Sequence, residues 1–193
     1  MPADPFGPTE FQLVLLRRMA DHNPHLVDDA LHEMGASHTD LREAHRRWQA
    51  RLHSRTFPGG ESRYRTVLGH PETVSSRRLG DMTFRAATWP VPLWPELRFE
   101  VLSTPAGAKG AGAIWNEWLI RDPRAKPPEL TGVADLTPWS CTVDDAARAF
   151  PPAKALPPDA PTRARMALTD PEAGTRVIAH FTWGLLQYVV REP

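Results

Sequence analysis

Cysteine and lysine are nearly missing from this chain: Cys141 stands alone, and lysine occurs 3 times against 20 arginines. One cysteine excludes an internal disulfide framework and a multi-cysteine zinc site. No apolar run approaches the roughly 18 residues that a membrane-spanning helix needs, so none is expected. The opening MPADPFGPTEF has neither the basic region nor the apolar stretch of a secretory signal. Together with the lone thiol, these absences lead us to expect a cytoplasmic protein. Nucleotide and hydrolase signatures are missing too: there is no GxGxxG, no Walker loop, no GxSxG elbow and no kinase set. The glycines of GAKGAG (107–112) are followed by a strand pattern, not by a helix whose dipole would anchor phosphate. We therefore assign no catalytic residue, expect neither cofactor nor metal, and lean away from an enzyme.

What is present is the composition of a folded globular domain. The 193 residues are 41% hydrophobic and 24% charged, close to ordinary globular usage. Folding at this length buries roughly 70% of the extended chain's surface, so no covalent staple is needed. Formal net charge is zero but unevenly spread. From Arg42 to Arg78 there are nine arginines against Glu43, Glu61 and Glu72, which suits an acidic partner or, equally, internal pairing with the acidic remainder of the chain. The heavy arginine use, with abundant alanine and proline, also fits a coding bias.

Periodicity predicts three helices near the start. Thr9 and Gln12 have capping-box spacing, and Phe11, Leu15 and Met19 recur at helical intervals. Asn23–Pro24 is an N-cap followed by proline, with Gly35 as the stop after Leu26, Val27, Ala30, Leu31 and Met34. Ser37, with Asp40, caps a third helix whose apolar face is Leu41, Ala44, Trp48 and Leu52. After FPGG (57–60), a short helix is expected over 61–68 and another from Pro71 to about Leu79. Strands are expected at 82–88, 96–104 and 114–122, followed by a segment, 123–161, holding nine prolines. Within it TVDDAARAF (142–150) predicts a helix capped by Thr142; RARMALT and TRVIAHFTW then form a hairpin. GLLQYVV reads as strand or helix. The fold expected is α+β, one domain over 1–193. Its three-helix unit (1–56) packs on an antiparallel sheet of about five strands (81–193), with 123–161 as an excursion between strands.

Four constellations bear on function. GASHTDLREAHRRW follows an apolar helix as the second helix of a helix-turn-helix would. His38, Thr39, Arg42, Arg46 and Arg47 would then face a major groove. Packing of Trp48 and Leu52 explains the same helix without DNA. Six histidines lie between His22 and His53, yet none is set in an HExxH or paired ExxH pattern, so no metal site is assigned. Cys141 precedes a predicted helix start, which favours the thiolate, and His180 with Asp144 or Asp145 would complete a nucleophile's set. A free cysteine is equally a small core hydrophobe. Finally, Trp89, Trp94, Trp115 and Trp118 lie in the sheet half, two of them in WPVPLWPEL, a stiff segment expected at the surface. Aromatics beside proline form grooves that grip peptides. Our leading expectation is a non-catalytic binding or accessory protein for a protein or peptide partner, as in support of a biosynthetic enzyme. Those four tryptophans would make the contact. The alternative is a DNA-binding regulator using His38 to Arg47, and the third is a small-molecule enzyme built on Cys141 or the histidines.

Overall fold

Capping residues set the first helices. In the computed structural model, which describes residues 6–192, α1 (Pro8–Met19) begins with Pro8 in the first helical position. The Gly7 N–H donates to Glu10 Oε2 at 2.8 Å. The cap thus sits earlier than the expected Thr9–Gln12 pair, because proline needs no partner for a missing N–H. α2 (Pro24–Met34) starts after Asn23 and ends at Gly35, whose φ of +64° is the left-handed stop that glycine supplies without strain. α3 (His38–Leu52) carries a reciprocal cap: Ser37 Oγ accepts from the Asp40 N–H, and Asp40 Oδ2 accepts from the Ser37 N–H. Leu41, Ala44 and Trp48 are buried as expected, but Leu52, the last helical residue, is 37% exposed. α4 (Ser62–Leu68) stops before Gly69.

The expected helix over 71–79 is instead a strand, β1 (Thr73–Leu79). Gly80 and Asp81 form a two-residue loop that pairs Leu79 with Met82, locking this segment against β2 (Met82–Pro90). β3 (Leu97–Ser103) and β4 (Ile114–Arg121) complete an antiparallel sheet in the order β1-β2-β3-β4. Where one sheet of about five strands was expected, there are two of four. The second contains β5 (Lys154–Leu156), β6 (Arg163–Thr169), β7 (Arg176–Thr182) and β8 (Leu185–Arg191), in that order. GLLQYVV thus supplies β8, not a helix.

The chain divides into two compact units, Met1–Glu117 and Trp118–Pro193, with the division inside β4. In the first, helices pack on one face of the sheet through an aromatic cluster. Phe11 of α1 meets Phe99 of β3 at 4.9 Å between ring centres and Trp48 of α3 at 5.4 Å. Tyr64 of α4 meets Phe99 at 5.2 Å and Trp89 of β2 at 6.2 Å. The two edge-to-face pairs of Phe11 add about 0.5–1.5 kcal/mol each beyond buried area.

In the second unit the proline-rich stretch is not bare loop. It holds a 3-10 turn (Val133–Asp135), α5 (Val143–Ala149) and β5. Ala146, Phe150, Leu136 and Cys141 pack on Met166, Leu168, Val177, Ala179, Phe181 and Leu186 of the sheet. β7 and β8 join through Trp183 and Gly184, with φ of +51° and +78°. A side chain at Gly184 would put its Cβ 2.8 Å from the Leu119 carbonyl oxygen and 2.9 Å from Trp118 Cβ. The turn therefore demands glycine on both conformational and steric grounds.

Candidate functional site

The four tryptophans expected to share a surface have different fates. Trp89 is buried, 1% exposed, and its indole N–H donates to the Gly69 carbonyl oxygen at 3.0 Å. It shares a face of β2 with Ala87, and that face packs on the helices; the expectation that it lies on the surface is therefore corrected. Trp94 is half-buried in the turn before β3, where its N–H meets the Val91 carbonyl oxygen and its carbonyl accepts from Leu97. Trp118 is half-buried beside Gly184. Trp115 is 60% exposed, with its ring 5.2 Å from Phe84 at an interplanar angle of 35°. Met82, two residues from Phe84 and so on the same face of β2, is 48% exposed. Buried Phe84 thus backs a small apolar platform on which Trp115 lies.

On the helix-facing side of the same sheet is an open cleft of about 680 Å³ that the sequence reading missed. Its floor is Glu61, at the N-terminus of α4, and its walls include Ser103, Gly112 and the FPGG glycines. Glu61 Oε1 accepts from Arg65 Nε at 2.9 Å and Oε2 from Arg85 Nε at 2.8 Å. Burial alone would raise this carboxyl, but the hydrogen bonds and charges of Arg85 and Arg65 outweigh it and hold the group below its ordinary value. Glu61 is therefore an ionised anchor, not a general acid. Gly60 has φ +62°, and a Cβ there would collide with the Gly112 carbonyl oxygen, so the turn and the glycine-rich hairpin meet backbone to backbone. The signal for this site was the Glu61–Arg65 i,i+4 spacing after FPGG.

A half-buried carboxylate, Glu117, lies in the same unit. Glu117 accepts a hydrogen bond from the Tyr64 hydroxyl. Burial raises the Glu117 carboxyl, against the opposing effects of Tyr64 and Arg63, and burial plus the Glu117 charge push the Tyr64 hydroxyl well up. The Tyr64 hydroxyl thus stays protonated as the donor of this hydrogen bond, which suits a core contact.

The arginine-rich helix is largely occupied by its own unit. His38 Nε2 lies 2.8 Å from Asp28 Oδ1, Arg42 donates to Thr39 Oγ1, and Arg46 grips Glu43 with two nitrogens. The Arg47 and Arg51 guanidiniums lie 5.3 and 5.1 Å from the centre of the Phe6 ring, and Arg51 is 5.7 Å from Phe57. These cations cover the rim of the aromatic cluster. The histidines do not converge: among the described residues, no group of three or more His, Cys, Asp or Glu is placed to hold a metal ion. Burial, then Arg18 and Arg17, lower the His45 imidazole and keep it neutral.

Cys141 is fully buried in the second unit's core. Burial pushes its thiol up to about 12, the Ser140 hydrogen bond opposing and the Asp145 charge adding to the rise. The expected helix-start thiolate is overturned, because Asp145 itself occupies the cap of α5 and burial outweighs the dipole. His180 stacks on Tyr188 with ring centres 4.3 Å apart. We expect iodoacetamide to leave Cys141 unmodified in the native protein at pH 8 and to modify it fully in denaturant. Rapid native labelling, followed by mass spectrometry, would restore it as a nucleophile.

No protein-family model matches this chain, and no curated protein matches it. Among solved structures, a protein of Streptococcus mutans described as a "putative beta-lactamase inhibitor protein" is similar at 11% identity. The match covers 72% of this chain and 86% of that one with a TM-score of 0.28, a likeness too slight to carry a conclusion about fold or partner.

Proposed function

We propose that this chain is a non-catalytic binding protein that engages a protein or peptide partner, with Trp115 at the centre of the contact. The observation behind this reading is the 60% exposure of Trp115 on a strand, with its ring against buried Phe84. Leaving a tryptophan in water forgoes roughly 2 kcal/mol or more of burial, and buried tryptophans dominate contact energetics when a partner covers them. Arg77, across the strand pair from Phe84, is already neutralised by Glu100 at 2.5 Å. The platform is therefore apolar at its centre and invites shape contact more than charge. With Trp89 buried and Trp94 and Trp118 half-buried, the proposed surface centres on Trp115.

The test is capture from nuclease-treated native extract at two salt concentrations, using the folded wild type and Trp115→Ala. A protein band that survives high salt and falls at least about 10-fold with Trp115→Ala is expected, since a contact hot spot exceeds about 1.4 kcal/mol. Equal capture by both proteins would remove Trp115 from the contact. Capture of nucleic acid alone in an untreated extract, lost steeply with salt, would favour the helix-turn-helix alternative instead.

A further inference from the structure

β1 forms one edge of the first sheet, and its seven residues pair with β2 on one side only. The two-residue loop makes Leu79 and Met82 a hydrogen-bonded pair, so the same holds at every second residue: Arg77–Phe84, Ser75–Ala86 and Thr73–Thr88. The Glu72 N–H donates to the Thr88 carbonyl at 2.8 Å, which closes that end of the ladder. The backbone N–H and C=O groups of Val74, Ser76 and Arg78 consequently point away from the sheet. Among the described residues, no backbone group pairs with them.

Sheets ordinarily blunt such an edge with proline, a central bulge or charged side chains. β1 has no proline and no register shift, and its first four residues are exposed. Val74 is 46% exposed. The Arg77 charge is neutralised by Glu100, and Arg78 Nε donates to the Gly80 carbonyl.

We infer that β1 is a self-association edge, through which two copies of this chain pair antiparallel about a two-fold axis at Ser76 to join their sheets. The strand is self-complementary in that register. Ser76, its middle residue, points its backbone outward and meets itself, so Val74 and Arg78 exchange bonds with Arg78 and Val74 of the second copy. Every residue of β1 then finds a partner, and like charges never sit directly opposite, because Arg78 faces Val74 and Arg77 faces Ser75. Arg77 meets its own copy only diagonally, and Glu100 has already neutralised it. The small serines at positions 75 and 76 let the two backbones approach closely along the axis.

The experiment is sedimentation of the full chain from low micromolar to about 1 mM, the range where a small interface associates. It is combined with amide exchange followed by NMR. Wild type is expected to rise from 21.6 kDa towards twice that mass. The amides of Val74, Ser76 and Arg78 should gain protection with concentration, whereas those of Ser75, Arg77 and Leu79 stay protected throughout. Ser76→Pro removes an outward N–H that the β1–β2 ladder does not use, and Ser76→Glu sets two carboxylates face to face at the axis. Both are expected to sediment as monomers, and Ser76→Glu decides alone if the proline variant fails to fold. A wild type that stays at 21.6 kDa to 1 mM, a folded Ser76→Glu that still dimerises, or fast exchange at Ser76 in the dimer would each overturn the inference. Trp115→Ala leaves this result unchanged, so the two surfaces fail or stand separately.

Discussion

Replacing Trp89 with alanine is expected to lower the free energy of unfolding by about 3–5 kcal/mol, whereas Trp115→Ala changes it by less than about 0.5 kcal/mol. Trp89 is 1% exposed and packs on Tyr64, and its N–H satisfies the Gly69 carbonyl that ends α4. Truncation leaves a ring-sized cavity and an orphaned carbonyl together. Trp89→Phe separates the two terms: it retains most of the packing and loses the hydrogen bond, at a cost of about 1–3 kcal/mol. Chemical denaturation measures both, with the midpoint falling and the slope unchanged. A Trp89→Ala protein as stable as wild type would show that this ring does not fill the first unit's core.

The two tryptophans look alike in sequence, and their divergence shows which signals were legible. Helices were readable where the ends are written locally: Asn23–Pro24 with Gly35, Ser37 with Asp40, and Thr142 before α5 all lie where the residues place them. Face assignment in strands depends on register, which is a long-range property. Trp89 beside Pro90 reads as stiff surface, yet pairing of Trp89 with Phe99 puts it on the helix-covered face. β1 was missed because Pro71 imitates a helix start, although the Gly80–Asp81 step before MTFRAAT is a hairpin signal. The partition of strands into two sheets has no local signal at all, since β4 and β6 look the same whichever neighbour they take. Of the cleft, only the Glu61–Arg65 spacing was visible; Arg85 and Ser103 reach Glu61 from 24 and 42 residues away.

The strongest electrostatic dependence lies in the second unit, at Asp145. Its side chain is 1% exposed and does two jobs with one oxygen. Oδ2 accepts from the Thr142 N–H at 3.0 Å and hydroxyl at 2.9 Å, closing the cap of α5, and also accepts from Arg121 Nε at 2.9 Å. Arg148 approaches Oδ1 at 3.4 Å from the solvent side. Asp145→Ala therefore removes the cap and leaves the Arg121 guanidinium, only 12% exposed, without its counter-charge. The expected loss is about 3–5 kcal/mol, most of it the cost of an uncompensated charge. Asp145→Asn keeps an acceptor for Thr142 but not the charge, and should fall between that variant and wild type. The decisive comparison is the double variant Arg121→Met, Asp145→Ala. With the stranded cation gone, only the cap term of about 0.5–2 kcal/mol should remain, so the double variant is more stable than Asp145→Ala alone. Denaturation midpoints of Asp145→Ala, Arg121→Met and the double variant decide it. Additive losses would mean that Arg121 finds water or another carboxylate, and that α5 is held by its cap and its apolar face rather than by the buried ion pair.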